Sequence, residues 1–163
     1  MATNERDETQ TERADRNWGE LLQELRVSQT GVQLLTAFLL SLPLQQRFTQ
    51  LGNGQLAVYL LAVCLSVVAT GLLVAPVAVH RAVFRHHEKA VLVTVGDRVA
   101  RAGLAMLALA VSDVVILIFS IVIGTGAAVG AGVGTALLLA ALWWWLPHRV
   151  LTSGGPTRRQ PTR

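Results

Sequence analysis

The sequence is short of charged residues, of cysteine and, beyond its first part, of acidic residues. Only 15% of the 163 residues are charged, whereas about a quarter of a typical soluble domain is charged. Seven of the ten acidic residues precede Val27, and long stretches without any charge follow. With 52% hydrophobic residues and a mean hydropathy of +0.49, this distribution excludes a half-buried soluble core and predicts an integral membrane protein.

The chain also has little with which to build a catalytic or metal site. Its single cysteine, Cys64, excludes an intramolecular disulfide and is expected to pack as a small hydrophobic side chain. The spacing of His80, His86, His87 and Glu88 fits no familiar helical pair of metal ligands. No zincin, nucleophile-elbow or phosphate-loop motif occurs in the sequence. We therefore expect no enzyme activity, no metal and no cofactor.

Hydropathy predicts four membrane-spanning helices within a domain that covers residues 17–148. The predicted spans are residues 27–44, 55–79, 99–123 and 126–146. Pro76 should kink or end the second span, and the polar residues on either side of the domain predict disordered tails at 1–16 and 149–163. The expected fold class is an all-α, integral membrane four-helix bundle.

A short amphipathic helix is predicted just before the first span. Trp18, Leu21, Leu22 and Leu25 recur at helical spacing, and polar residues lie between them. Two interpretations are open. This helix either lies on the membrane surface as a separate element or continues into the first span as one helix.

The basic residues lie on one side of the four predicted spans. Thirteen of the fourteen lysines and arginines fall in the N-terminal segment, around the second loop or in the C-terminal segment, and only Arg47 falls in the first loop. The positive-inside rule therefore predicts that both termini are cytoplasmic. Because the charges mark span ends, the net charge of +4 does not point to nucleic acid as a partner.

A basic segment follows the second span. His80, Arg81, Arg85 and Lys89 form a predicted cytoplasmic surface. Arginine and histidine beside a membrane attract anionic lipid. The expected partner of this surface is therefore the anionic headgroups of the bilayer.

Asp113 is the strongest candidate for chemistry. It lies near the middle of the third span, where an ionised carboxylate costs at least about 3 kcal/mol and usually faces the bundle interior or water. A carboxyl group in this position can exchange a proton for a cation such as sodium. The alternative is structural, with a protonated Asp113 that donates a hydrogen bond to Ser112, Ser66 or Thr70.

Polar side chains recur at helical spacing along the first two spans. They are Gln29, Gln33 and Thr36 on span one and Ser66 and Thr70 on span two. Because lipid cannot satisfy such groups, both stripes are expected to turn inward. They either line an ion or proton pathway or join the helices through hydrogen bonds. The candidate ion or proton site comprises Asp113, Gln33, Thr36, Ser66 and Thr70.

Span four carries a pattern of small residues. Gly126, Gly130 and Gly134 recur at four-residue spacing, which lets another helix backbone approach closely. The packing partner is either span three of the same chain or span four of a second copy. Because four short spans enclose little space, a transporter built from this chain is expected to be a homo-oligomer.

Two stretches resemble a known family. Residues 17–33 (NWGELLQELRVSQTGVQ) and 75–85 (APVAVHRAVFR) resemble the landmarks of a bacterial family of small four-span membrane proteins of unknown function. Its members sometimes carry the label sodium:proton antiporter. The resemblance implies a multi-pass protein of the bacterial inner membrane, and a proton-coupled cation transporter subunit. No family motif covers Asp113. The alternative is a non-transporting scaffold or regulatory protein with a cytoplasmic interaction surface.

Overall fold

A computed structural model describes residues 10–83, 89–145 and 149 of the chain. It contains four long helices, α1 (Gln10–Ser41), α2 (Asn53–Val83), α3 (Lys89–Val122) and α4 (Thr125–Ala140). Two 3-10 turns, Leu42–Leu44 and Gln46–Gln50, join α1 to α2, and a π-helical turn, Ala141–Trp145, extends α4. No strand occurs in these described ranges, so the predicted all-α class is confirmed.

Each of the four helices contains a segment that is long and apolar enough to cross a membrane. The segments are Leu22–Leu44, Asn53–Ala78, Val95–Val122 and Thr125–Trp145. This confirms the four predicted spans, and the first is longer than expected because it begins at Leu22. Which side of the membrane holds the termini stays a prediction.

The first helix runs without a break from Gln10 into the first span. The amphipathic segment is thus the start of one continuous helix, which is the second of the two interpretations. The prediction of disorder is wrong for residues 10–16, which are helical. Glutamine, glutamate, arginine and alanine favour a helix there, and Arg16 pairs with Glu20 one turn later. The rest of the predicted tails, residues 1–9 and 150–163, lies outside the described residues.

Pro76 does not end the second helix, which continues to Val83. Its ring leaves the carbonyl of Leu72 without the usual helical donor. The side-chain amide of Gln29 on α1 donates to the next carbonyl, that of Leu73, at 2.9 Å. A neighbouring helix therefore supplies a polar partner to the turn that proline disturbs, as membrane helices require.

The third helix lies at the centre of the bundle, because it packs against each of the other three. Two apolar clusters fill the interior around it. One contains Val32, Leu73 and Leu107. The other contains Leu39 and Leu117 and lies closer to the first loop. Leu107 and Leu117 place the centre of α3 in both clusters. The helical turn of α3 between these two residues is therefore buried.

Candidate functional site

Asp113 lies in this central turn of α3 and faces the interior. Only 7% of its surface is exposed. Its Oδ2 atom is buried and has no hydrogen-bond partner among the described residues. A buried polar atom without a partner costs about 1–3 kcal/mol. The predicted inward orientation of Asp113 is therefore found, but no hydrogen bond explains why a carboxyl group occupies this position.

Two contacts between α2 and α3 fix the level of Asp113 in the bundle. They are the packing of Gly103 against Leu73 and a hydrogen bond from Gln55 Nε2 to Ser120 Oγ at 3.5 Å. Because these contacts lie at opposite ends of two antiparallel helices, the level of Asp113 falls at Ala62 of α2. Ser66, which is completely buried, lies about one helical turn from that level.

The hydroxyl groups predicted to surround Asp113 each donate to a carbonyl in their own helix. The bonds are Thr36 to Val32, Ser66 to Val63, Thr70 to Ser66 and Ser112 to Ala108, all between 2.7 and 2.9 Å. The predicted structural bond from Asp113 to Ser112, Ser66 or Thr70 is thus not formed in the described structure. Each hydroxyl oxygen keeps lone pairs that can accept a proton donor or coordinate a cation.

The polar stripe on α1 does not turn inward as a unit. Thr36 is half-buried and Gln29 reaches α2, but Gln33 is exposed. The prediction that Gln33 joins the site of Asp113 is therefore wrong. The buried side of α1 is centred on Val32, and each residue turns about 100° around a helix, so the next residue points away from the core.

The glycines of α4 also face a different way from the one expected. The three predicted packing residues, Gly126, Gly130 and Gly134, are exposed, and a Cβ added to any of them would meet nothing within 4 Å. Instead α4 packs on α3 through Ala128 and Gly132, which are buried. A Cβ at Gly132 would overlap the Ile116 side chain and lie 3.3 Å from the Ser112 carbonyl oxygen. Span three is therefore not the partner of the predicted face, and packing on a second copy stays a prediction.

The predicted basic surface falls mainly outside the described structure. Arg85 is not among the described residues, and neither are the side chains of His80, Arg81 and Lys89. The backbone places residues 80 and 81 in the last turns of α2 and Lys89 at the start of α3. These helix ends lie on the same side of the bundle, as the prediction of one basic loop requires.

A cavity of about 500 Å³, the first-loop cavity, lies between the 3-10 turns and the end of α3. Arg47, Phe48, Leu51, Leu117 and Ile121 are among the residues that line it. No hydropathy or spacing signal in the sequence indicated this cavity, because it is formed by a short connecting segment folding against α3.

Leu117 connects this cavity with the candidate site. It lines the first-loop cavity and is one helical turn from Asp113. Leu117 packs in one cluster with Leu39 and Tyr59, and the Tyr59 hydroxyl donates to the Leu39 carbonyl at 3.1 Å. One apolar layer therefore separates Asp113 from the cavity.

Two observations concern the remaining features of the sequence, which are the possible metal ligands and Cys64. In the described ranges, no three His, Cys, Asp or Glu residues are grouped so that they could hold a metal ion. Cys64 is exposed on α2, and the expectation that it packs as a small hydrophobic side chain stays a prediction. Since lipid is as apolar as a protein core, an exposed cysteine is compatible with its place in the span.

The family model of a family of unknown function, DUF6328, matches residues 7–147. The chain belongs to DUF6328. The match covers all four helices of this DUF6328 protein and includes both stretches that resembled family landmarks. In the structure, the bond from Gln29 to the Leu73 carbonyl joins α1 to α2 just before the second stretch begins. No curated protein and no solved structure matched the chain. Family and fold together identify a four-span membrane protein.

Proposed function

We propose that this protein exchanges a proton for a monovalent cation, such as sodium, at Asp113. The observation that carries the proposal is the buried Oδ2 atom without a hydrogen-bond partner among the described residues. A carboxyl group that served only to join helices would gain its stability from such a partner. A carboxyl group that must bind and release a ligand has to keep an oxygen free for it.

The exchange is balanced in charge. With a proton bound, Asp113 is a neutral carboxylic acid. When a cation enters, the O–H proton leaves, and the carboxylate and the cation form a neutral pair. Isolated charge is costly in an apolar interior, so either ligand alone is favoured over an empty, ionised site. The hydroxyl oxygens of Thr36, Ser66 and Ser112 are the candidate additional cation ligands.

The first-loop cavity is the candidate entrance on one side of the membrane. Leu117 and its cluster close the path between the cavity and Asp113. Movement of this single apolar layer would admit water and a cation to the carboxyl group. The cavity also holds Arg47, which would repel cations, so the proposal requires that this guanidinium turn toward the headgroups while a cation passes.

The test is flux through purified protein in liposomes that contain a pH-sensitive dye. We expect a sodium or potassium gradient to drive proton movement through the wild-type protein. Asp113→Asn, which keeps the size of the side chain but cannot ionise, should reduce the signal to that of protein-free liposomes. The matched control is Asp97→Asn. It removes an exposed carboxylate of the same helix that pairs with Arg101, and it should leave the flux unchanged. Equal flux in Asp113→Asn, or none in the wild type, would overturn the proposal.

One observation favours a second function, that of a non-transporting scaffold. On the predicted cytoplasmic side, α1 extends from Gln10 to the start of its span at Leu22, a length of about 18 Å. α2 and α3 also continue past their spans on that side, to Val83 and from Lys89. These extensions form a helical surface available to a partner. If the wild type carries no flux but a variant truncated before Leu22 loses a bound partner, the scaffold function replaces the exchanger.

A further inference from the structure

α1 presents a regular row of residues that none of the other described helices covers. Thr30, Gln33, Ala37 and Leu40 follow one another at spacings of three, four and three, and all four are exposed. We call this row the α1 seam. Alternating steps of three and four residues are the pattern with which two helices pack side by side in a left-handed coil. Only 11% of the first span is buried in the bundle, compared with 33% of the third, so α1 has free surface for such packing.

The position of Gln33 makes this exposed row costly in a membrane. Gln33 is the central residue of the span Leu22–Leu44, about 16 Å from either end. Its amide has no hydrogen bond to any described residue, in contrast to the amide of Gln29, which reaches the Leu73 carbonyl. Lipid offers no partner at that depth. The amide therefore needs a polar group from outside this chain.

We propose that two copies of this chain pair along the α1 seam, with their Gln33 amides hydrogen-bonded to each other. A primary amide carries both a donor and an acceptor, so two copies related by a twofold axis satisfy each other at the same point. Thr30 and Ala37, one turn on either side, are small and let the two backbones approach. Both copies cross the membrane in the same direction, which a parallel pair of α1 helices allows.

The second copy fits this seam better than an unrelated partner does. In a twofold dimer the same patch must complement itself. The α1 seam meets that condition because its only unsatisfied polar group can pair with its own copy. A central polar residue in an apolar seam also fixes the register of two helices. Four residues before Thr30, the same row reaches Arg26. This residue lies near the end of the span, where its side chain can reach the headgroups. This proposal does not depend on the exchange of protons and cations.

The test is oxidative cross-linking in purified liposomes that contain no other protein, on a Cys64→Ser background. Ala37→Cys places a thiol on the α1 seam while keeping Gln33. Phe38→Cys, its neighbour, places one on the exposed apolar side of α1. We expect copper phenanthroline to produce a covalent dimer from Ala37→Cys and little from Phe38→Cys. Adding Gln33→Leu to the Ala37→Cys variant should abolish the dimer, and adding Gln33→Asn should retain it.

Other results would overturn the proposed pairing. An unaltered dimer in the Gln33→Leu variant would remove the amide from the interface. Cross-linking through Gly130→Cys in place of Ala37→Cys would place the contact on α4. If single-molecule photobleaching in the same liposomes shows a monomer, the proposed self-association is wrong. The partner of the Gln33 amide is then a different membrane protein. Since Gln33→Leu only replaces an exposed polar group with an apolar one, the variant is expected to fold.

Discussion

At the scale of single residues, the position of Asp113 is the feature that most requires an explanation. The carboxyl group occupies the most enclosed helix of the bundle, yet its Oδ2 atom is unpaired within the described chain. Structural polar groups in this protein behave differently. Gln29 and Tyr59 each reach a backbone carbonyl on a neighbouring helix, at 2.9 and 3.1 Å. The contrast separates residues that join helices from a residue that keeps its oxygen free.

This contrast makes a prediction about stability. Asp113→Val should raise the free energy of unfolding by about 1–3 kcal/mol, because it removes a buried polar atom that has no partner. Unfolding by sodium dodecyl sulfate in mixed micelles measures the change. The control is Tyr59→Phe, which removes a hydroxyl with a partner and should lower the stability. If Asp113→Val unfolds more easily than the wild type, Asp113 has a structural role that the exchange hypothesis does not include.

At the scale of helices, only one of the glycines compared on α4 lies where another backbone approaches closely. On α4 the close approach is at Gly132, where Ile116 and the Ser112 carbonyl occupy the space of a side chain. The exposed Gly130 lies two residues earlier on the same helix and meets nothing within 4 Å. The two glycines therefore differ in packing while sharing the same helix and nearly the same depth.

This difference predicts opposite effects of one substitution. Gly132→Ala should lower the free energy of unfolding by about 1–3 kcal/mol, because Ile116 and the neighbouring backbone must move. Gly130→Ala should be neutral or raise it by up to about 1 kcal/mol, because alanine is the better helix former. The same micelle unfolding assay compares them. Equal losses in both variants would mean that Gly130 is covered in the membrane, as an α4 interface between copies would require.

At the scale of the whole molecule, the sequence predicts the positions of the spans better than it predicts which side of each helix faces the bundle interior. About 20 apolar residues are needed to cross a bilayer, so composition alone locates the four helices. The inward position of Asp113 also follows, because charge is costly in lipid. The sequence could not predict that Gln33 faces outward and Gly132 faces α3. Lipid and the protein interior are equally apolar, so no hydrophobic pattern distinguishes the two sides of a span. The first-loop cavity depends on tertiary packing alone.

The central claim is that one carboxyl group, enclosed by the whole bundle, binds either a proton or a cation. Infrared difference spectroscopy of the reconstituted protein, recorded with and without sodium at constant pH, tests it most directly. We predict that sodium removes a protonated carboxyl band and adds a carboxylate band, and that both changes are absent in Asp113→Asn. A sodium-independent spectrum, or the same changes in Asp113→Asn and the wild type, would contradict the claim.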